Sequence, residues 1–246
     1  MTTRTLHYQG TPVPTVSADQ MAWVDARMMR ACHVPLLPMM ENAGAALVAL
    51  SVARMHSPRR PSVVVMARSG GNSAGCRGMA CTGFLTHSTL RDAVKTPREI
   101  LDAMGVSVPN ADPTRLSATL ARADLIIDAV LGYSIVGDSQ GMVGTGIQAA
   151  NASGAPILAL NIPSGLHPDS GFRFEPTIGA TATLALAVPM AGLAAATAEH
   201  VVGTVYLADI GVPSSVYTDL GLFVPPLFLG NPSIAWHSSH YSTQRG

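Results

Sequence analysis

The feature that most restricts this chain is a set of short apolar runs, each closed by a loop-forming cluster. Ser62–Ala67 reads Ser-Val-Val-Val-Met-Ala, residues 125–131 read Leu-Ile-Ile-Asp-Ala-Val-Leu, and residues 157–161 read Ile-Leu-Ala-Leu-Asn. Residues 181–188 and 205–207 continue the series. The first three runs do not alternate apolar with polar residues, as a strand wet on one face would. Continuous apolar runs belong to parallel sheets covered by helices on both faces. Helical patterns lie between them. Ser17-Ala18-Asp19-Gln20 is a capping box, with a hydroxyl at the N-cap and an amide three residues on. Met21, Val24, Met28 and Ala31 follow at helical spacing and predict a helix over 18–31. Pro35 and Pro38 precede a second helix, rich in small residues, over 39–48. A third pattern covers 113–123. Strands alternating with helices make the chain α/β with a mainly parallel sheet. Ligands of such sheets sit beyond the carboxyl ends of the strands. Three strands end in loops of interest: 68–78, 132–138 and 161–165.

Composition removes several function classes. Charged residues are only 12% of the chain, and 15 basic side chains balance 15 acidic ones. Binding to nucleic acid phosphates draws on a surplus of Lys and Arg, so nucleic acid is not an expected partner. The same balance leaves no basic patch for a membrane surface. Residues 139–168 and 176–198 lack charge, but Gly and Pro interrupt both, so neither is expected to span a membrane. The N-terminus has no apolar signal core. Cys32, Cys76 and Cys81 have neither an even count nor C-x-x-C spacing. A reduced cytoplasm is the expected compartment, and residues 1–16 read as an arm.

Each loop carries a possible chemistry beside a plain structural reading. The stretch Gly70-Gly71-Asn72-Ser73-Ala74-Gly75 after the first strand could cradle a phosphate with backbone N–H groups, or be an ordinary glycine loop. Asp128 is a carboxylate inside an apolar strand, costly unless hydrogen-bonded, paired or bound to a cation. Gly132-Tyr133-Ser134-Ile135-Val136-Gly137-Asp138 follows it. Asn161-Ile162-Pro163-Ser164-Gly165 offers hard oxygen donors for an alkali cation or a sugar hydroxyl, or is a simple turn. His167 is the one histidine beside such a loop. Lys95 is the single lysine among 15 basic residues.

Together these segments resemble the YjeF N-terminal domain family, the NAD(P)HX epimerases. Residues 14–21 are similar to the family's opening, and Met39-Met40-Glu41-Asn42-Ala43-Gly44 to its L-M-E-N-A-G helix. Residues 123–132 resemble A-D-L-I-V-D-A-L-F-G, residues 163–166 sit in a D-I-P-S-G-L-like segment, and residues 208–213 resemble A-D-I-G-I-P. The resemblance implies a single domain over 1–222, a three-layer αβα Rossmann-like sandwich, with 223–246 as a tail. It implies an isomerase that interconverts the R and S epimers of hydrated NADH or NADPH at C6 of the nicotinamide ring, working as a homodimer. By position, Gly71, Asn72, Ser73, Ala74 and Gly75 would hold phosphates. Residues 132–138 and Asn161 would line the substrate. Asp128 would be catalytic. A potassium ion would sit between Asp128, Ser164 and Asn72 or Ser73. NAD(P)HX is then substrate rather than cofactor, and a separate dehydratase completes the repair.

The chain departs from the family pattern at several points. The family loop G-N-N-G-G-D-G is here Gly71-Asn72-Ser73-Ala74-Gly75-Cys76-Arg77-Gly78, the D-I-P-S-G aspartate is Asn161, and the A-P-K lysine is Met190. Residues 86–95 do not read as the expected second strand. Two further readings therefore stand beside the epimerase. One is a repurposed member that isomerises, cyclises or dehydrates another small molecule, as a biosynthetic cyclase would. The other is a non-catalytic scaffold.

Overall fold

The computed structural model describes residues 5–8, 10–54, 61–67, 80–85, 112–228 and 233–235. A small hairpin opens it, β1 (Leu6–Tyr8) against β2 (Thr11–Val13). Helix α1 (Ala18–Arg30) starts on the expected capping box, with both reciprocal bonds formed between Ser17 and Gln20. Helix α2 (Leu36–Arg54) begins earlier than the sequence reading placed it. Pro38 lies in its first turn, where a missing N–H costs no helical bond, so the proline opens this helix rather than delaying it. Among the described residues α2 is the one helix long and apolar enough to cross a membrane. Here its Met39, Ala43, Ala46, Leu47 and Leu50 are buried in the protein core.

The main sheet holds β3 (Ser62–Ala67), β4 (Ala80–Leu85), β5 (Leu125–Ala129), β6 (Ile157–Leu160), β7 (Ala182–Leu186), β8 (Thr204–Ala208) and β9 (Ser233–Ala235). Its spatial order is β4-β3-β5-β6-β7-β8-β9. Strands β3 to β8 are all parallel, and only β9 runs antiparallel, beside β8. The sequence runs for β3, β5, β6, β7 and β8 are all strands, as expected. Two strands went unread, β4 and β9. The segment beyond 222, read as a tail, is tied to the domain where it is described: Leu227 is buried in the core and β9 extends the sheet.

Two helical layers cover the sheet. Leu116 and Leu120 of α3 (Pro113–Leu120) and Ile147 and Ala150 of α4 (Gly141–Ala152) pack with Val64, Met66, Ile126 and Ala159 on one face. Ala46, Leu47 and Leu50 of α2 pack with Val63, Val65, Ile127 and Leu158 on the other. Each fully buried aliphatic side chain adds about 1.5–3 kcal/mol over exposure. This is the three-layer αβα sandwich. After β3 the chain moves outward to β4, then returns across β3 to β5. The carboxyl ends of β3 and β5 therefore flank the topological switch point, where doubly wound sheets place their ligands.

Candidate active site

Asp128 sits on β5 in register with Met66 of β3 and Ala159 of β6. It shares a sheet face with Ile126 and is 1% exposed. The cost of burying it is offset by three donors. Ser164 Oγ–H donates to Oδ1 at 2.6 Å, the Ser164 N–H to Oδ2 at 2.8 Å, and the Val130 N–H to Oδ1 at 3.3 Å. Ser164 is itself 1% exposed, and its Oγ also accepts the Leu131 N–H at 2.9 Å. One serine thus ties the end of β5 to the loop after β6. Burial still dominates: it pushes the Asp128 carboxyl up to about 6, and the Ser164 and Val130 hydrogen bonds only partly oppose it.

Gly165 makes this clasp possible. It holds φ +96°, and a Cβ there would lie 2.5 Å from the Pro176 carbonyl oxygen. Only glycine lets the loop pass that close. On the same loop Asn161 holds φ +68°, a left-handed conformation that asparagine and aspartate tolerate better than other side chains. Its carboxamide oxygen accepts the Leu186 N–H at 3.4 Å. The structure thus brings Asp128 and Ser164 into direct contact and sets Asn161 on the same loop, turned toward β7.

The segment 132–138 crosses the carboxyl end of β5. Gly132, Ser134, Val136 and Asp138 are exposed, Val136 at 95%, while Tyr133, Ile135 and Gly137 are half-buried. Two anchors hold it. Asp138 accepts the Glu175 N–H at 2.9 Å, and the Tyr133 hydroxyl donates to Asp25 of α1 at 2.7 Å. Burial raises the Asp25 carboxyl, with the Tyr133 bond opposing. Burial and Asp25 together hold the Tyr133 phenol well above its ordinary value. Asp25 was not singled out from sequence, although an acid beside the apolar stripe Met21, Val24 and Met28 was a usable signal.

Gly71, Asn72, Ser73, Ala74 and Gly75 lie outside the described residues, as does Lys95. His167 serves its own turn, its Nδ1 accepting the N–H groups of Asp169 and Ser170 at 3.3 Å. Met190, at the family's lysine position, is wholly buried in the core. No cluster of three His, Cys, Asp or Glu side chains suited to a metal occurs among the described residues. The Asp128–Ser164 pair instead suits a hard, singly charged cation. It offers oxygen donors only, and all three groups bonded to the carboxylate are neutral, leaving its charge without a counter-charge among them.

Comparisons with known proteins agree with this architecture. The family described as YjeF-related protein N-terminus matches residues 36–192. An NAD(P)H-hydrate epimerase of Dehalogenimonas lykanthroporepellens is 32% identical over 90% of this chain and 93% of its own length. The Truepera radiovictrix protein of the same name is 31% identical over 78% of this chain and 88% of its own. A bifunctional NAD(P)H-hydrate repair enzyme of Moorella thermoacetica is 27% identical over 82% of this chain, which spans only 41% of that longer protein. The crystal structure of the yeast protein YNL200c shares the fold with a TM-score of 0.77 at 20% identity, covering 91% of this chain and all of that one.

Proposed function

This chain belongs to the YjeF-related N-terminal domain family, and on that premise we propose that it is an NAD(P)H-hydrate epimerase, an isomerase that equilibrates the R and S forms of hydrated NADH and NADPH. The observation that carries the reading is the 32% identity to an epimerase across nearly the full length of both chains. The position of Asp128 and Ser164 beside the switch point supports it. Inverting C6 of the hydrated ring requires a bond to that carbon to break and re-form, and a proton to leave and return. With no ion beside it, Asp128, its carboxyl raised to about 6, is suited to exchange a proton near neutrality. Ser164 fixes the carboxylate's orientation, and Tyr133 through Asp25 holds the loop that faces the ring. Residues 132–138 and Asn161 line the substrate, and Gly71 to Gly75 take its phosphates.

A potassium ion belongs to the same proposal, held by Asp128, Ser164 and Asn72 or Ser73. When bound it supplies positive charge beside the buried carboxylate. The balanced charge of the chain supports a small-molecule substrate without nucleic acid or membrane partners. Leu37 and Val52, 43% and 57% exposed on the outer side of α2, support a homodimer. A cytoplasmic location goes with that reading. The test is the purified chain with R-NADHX, following the S form by chromatography. Conversion that is lost in Asp128→Asn is expected. No conversion at high enzyme concentration refutes the epimerase.

A further inference from the structure

A cavity opens on the same carboxyl edge of the sheet, toward the end away from β3. Its floor is Ala187, just past β7, and Asp209, just past β8. β8 is three strands from β5, about 14 Å at ordinary strand spacing. The cavity holds about 490 Å³, within the range of small-molecule sites. Helix α5 (Ser214–Thr218) gives one wall, and Phe223, Leu227 and Phe228 of the segment beyond it give another.

The polar side chains lining this cavity among the described residues are Asp209, Ser214 and Tyr217. Tyr217 is 4% exposed, and its hydroxyl has no hydrogen-bond partner among the described residues. Tyr217 lines the cavity. Asp209 contributes a carboxylate whose Oδ1 accepts the Gly211 N–H at 2.8 Å, leaving Oδ2 open. Burial first, and then the nearby charges of Asp209 and Asp25, hold the Tyr217 phenol above its ordinary value, so it stays protonated. Among the described residues no Lys or Arg lines the space. A phosphate or carboxylate ligand would face the Asp209 charge, with only the Ser214 and Tyr217 hydroxyls to donate to it. A positive group would find a carboxylate and a phenol oxygen, with Phe223 and Phe228 also lining the space.

We propose that this cavity is a second binding site, taking a small organic cation: an ammonium or protonated nitrogen heterocycle on an apolar body. Asp209 Oδ2 is its counter-charge, the Tyr217 oxygen accepts one of its N–H bonds, and Phe223, Leu227 and Phe228 enclose its apolar part. The inference does not rest on the epimerase reading, because no Asp128 chemistry enters it.

The test is calorimetric titration of the full chain with three probes of one shape: phenethylammonium, 2-phenylethanol and 3-phenylpropionate. The cation is expected to bind about tenfold or more tightly than the alcohol, and the anion not at all. Asp209→Asn, which keeps the acceptor for Gly211, should weaken the cation about tenfold and leave the alcohol unchanged. Tyr217→Phe, which preserves the ring in the core, should weaken it about fivefold and serves if the first variant misfolds. Equal binding of cation and alcohol overturns the proposal. So does cation affinity unchanged in both variants, binding of the anion, or no binding of the cation.

Discussion

Ser164→Ala removes one oxygen that serves two buried bonds. Its hydroxyl donates to Asp128 Oδ1 at 2.6 Å and accepts the Leu131 N–H at 2.9 Å. The first bond is made to a carboxylate and is worth about 1.5–3 kcal/mol when that group is ionised. The second loss leaves a backbone N–H without its partner, costing about 1 kcal/mol or more. The sum is about 3 kcal/mol, a fall in Tm of about 6–12 °C for a chain of this size. The penalty must also depend on pH. The folded Asp128 carboxyl stands at about 6 against an ordinary 3.8, raised first by burial. A carboxyl raised by folding favours the folded state while protonated, and that advantage fades as pH climbs from the unfolded value through the folded one. The wild-type protein therefore loses about 3 kcal/mol from this group between about pH 4 and pH 6. Losing the hydroxyl that helps hold the charge pushes the carboxyl higher still. The loss in Ser164→Ala then continues above pH 6, and the gap between variant and wild type is wider at pH 8 than at pH 5. Urea melts at both pH values, in buffers whose only cation is tetramethylammonium, measure that gap. A gap equal at the two pH values, or a total effect below about 0.5 kcal/mol, refutes the clasp as the support of Asp128.

Other perturbations test the neighbouring parts. Tyr133→Phe deletes the 2.7 Å bond to Asp25; with both groups half-buried it should cost only about 1 kcal/mol in a denaturant melt, and raise KM more than it lowers kcat. Gly165→Ala meets the Pro176 carbonyl oxygen at 2.5 Å with φ at +96°, and should destabilise by about 3 kcal/mol or more in the same melt. His33→Gly relieves an exposed residue at φ +53° after α1, and should raise stability by about 1 kcal/mol, read from the melting midpoint. Asn161→Asp should fold as stably as wild type, and by placing a second carboxylate on the loop beside Asp128 should move the acid limb of the pH–rate profile upward; an unmoved limb shows that position 161 does not couple to the reacting group.

The fold was legible wherever burial on both faces made a strand continuously apolar. That is why β3, β5, β6, β7 and β8 stand out in the sequence. Strand β4, Ala-Cys-Thr-Gly-Phe-Leu, lies at the sheet edge, where Thr82 and Gly83 interrupt the apolar signal. β9 has three residues, too few to carry a period. Helix α4 was hidden by its glycines. A Cβ at Gly144 would lie 2.4 Å from the Ser139 carbonyl oxygen, so a helix-weakening residue is required by close approach of the chain. At the site, Asp128 was legible because a carboxylate in an apolar run demands a partner. Ser164 as that partner came from motif resemblance, since 36 residues separate the two. Asp25, Tyr133 and Tyr217 come from three separate segments, and no local pattern links them.

The backbone also explains which departure from the family this site accepts. The residue after β6 is held at φ +68° while its N–H donates to the Leu184 carbonyl. A β-branched or bulky residue there would be strained, so change at this position is channelled toward Gly, Asn or Asp. Asparagine keeps the aspartate's shape and one acceptor oxygen, which here receives the Leu186 N–H. What it gives up is the charge. Two carboxylates near one another oppose each other's ionisation, so a neutral residue at 161 spares Asp128 a further rise. Burial, partly opposed by the Ser164 and Val130 hydrogen bonds, has already brought Asp128 to about 6. A second charge close by would raise it further. On this view the low charge of the chain and the chemistry of its site share a cause. With only neutral donors on a deeply buried carboxylate, desolvation brings the ion-free Asp128 near neutrality, and the potassium proposed beside it would lower that value when bound.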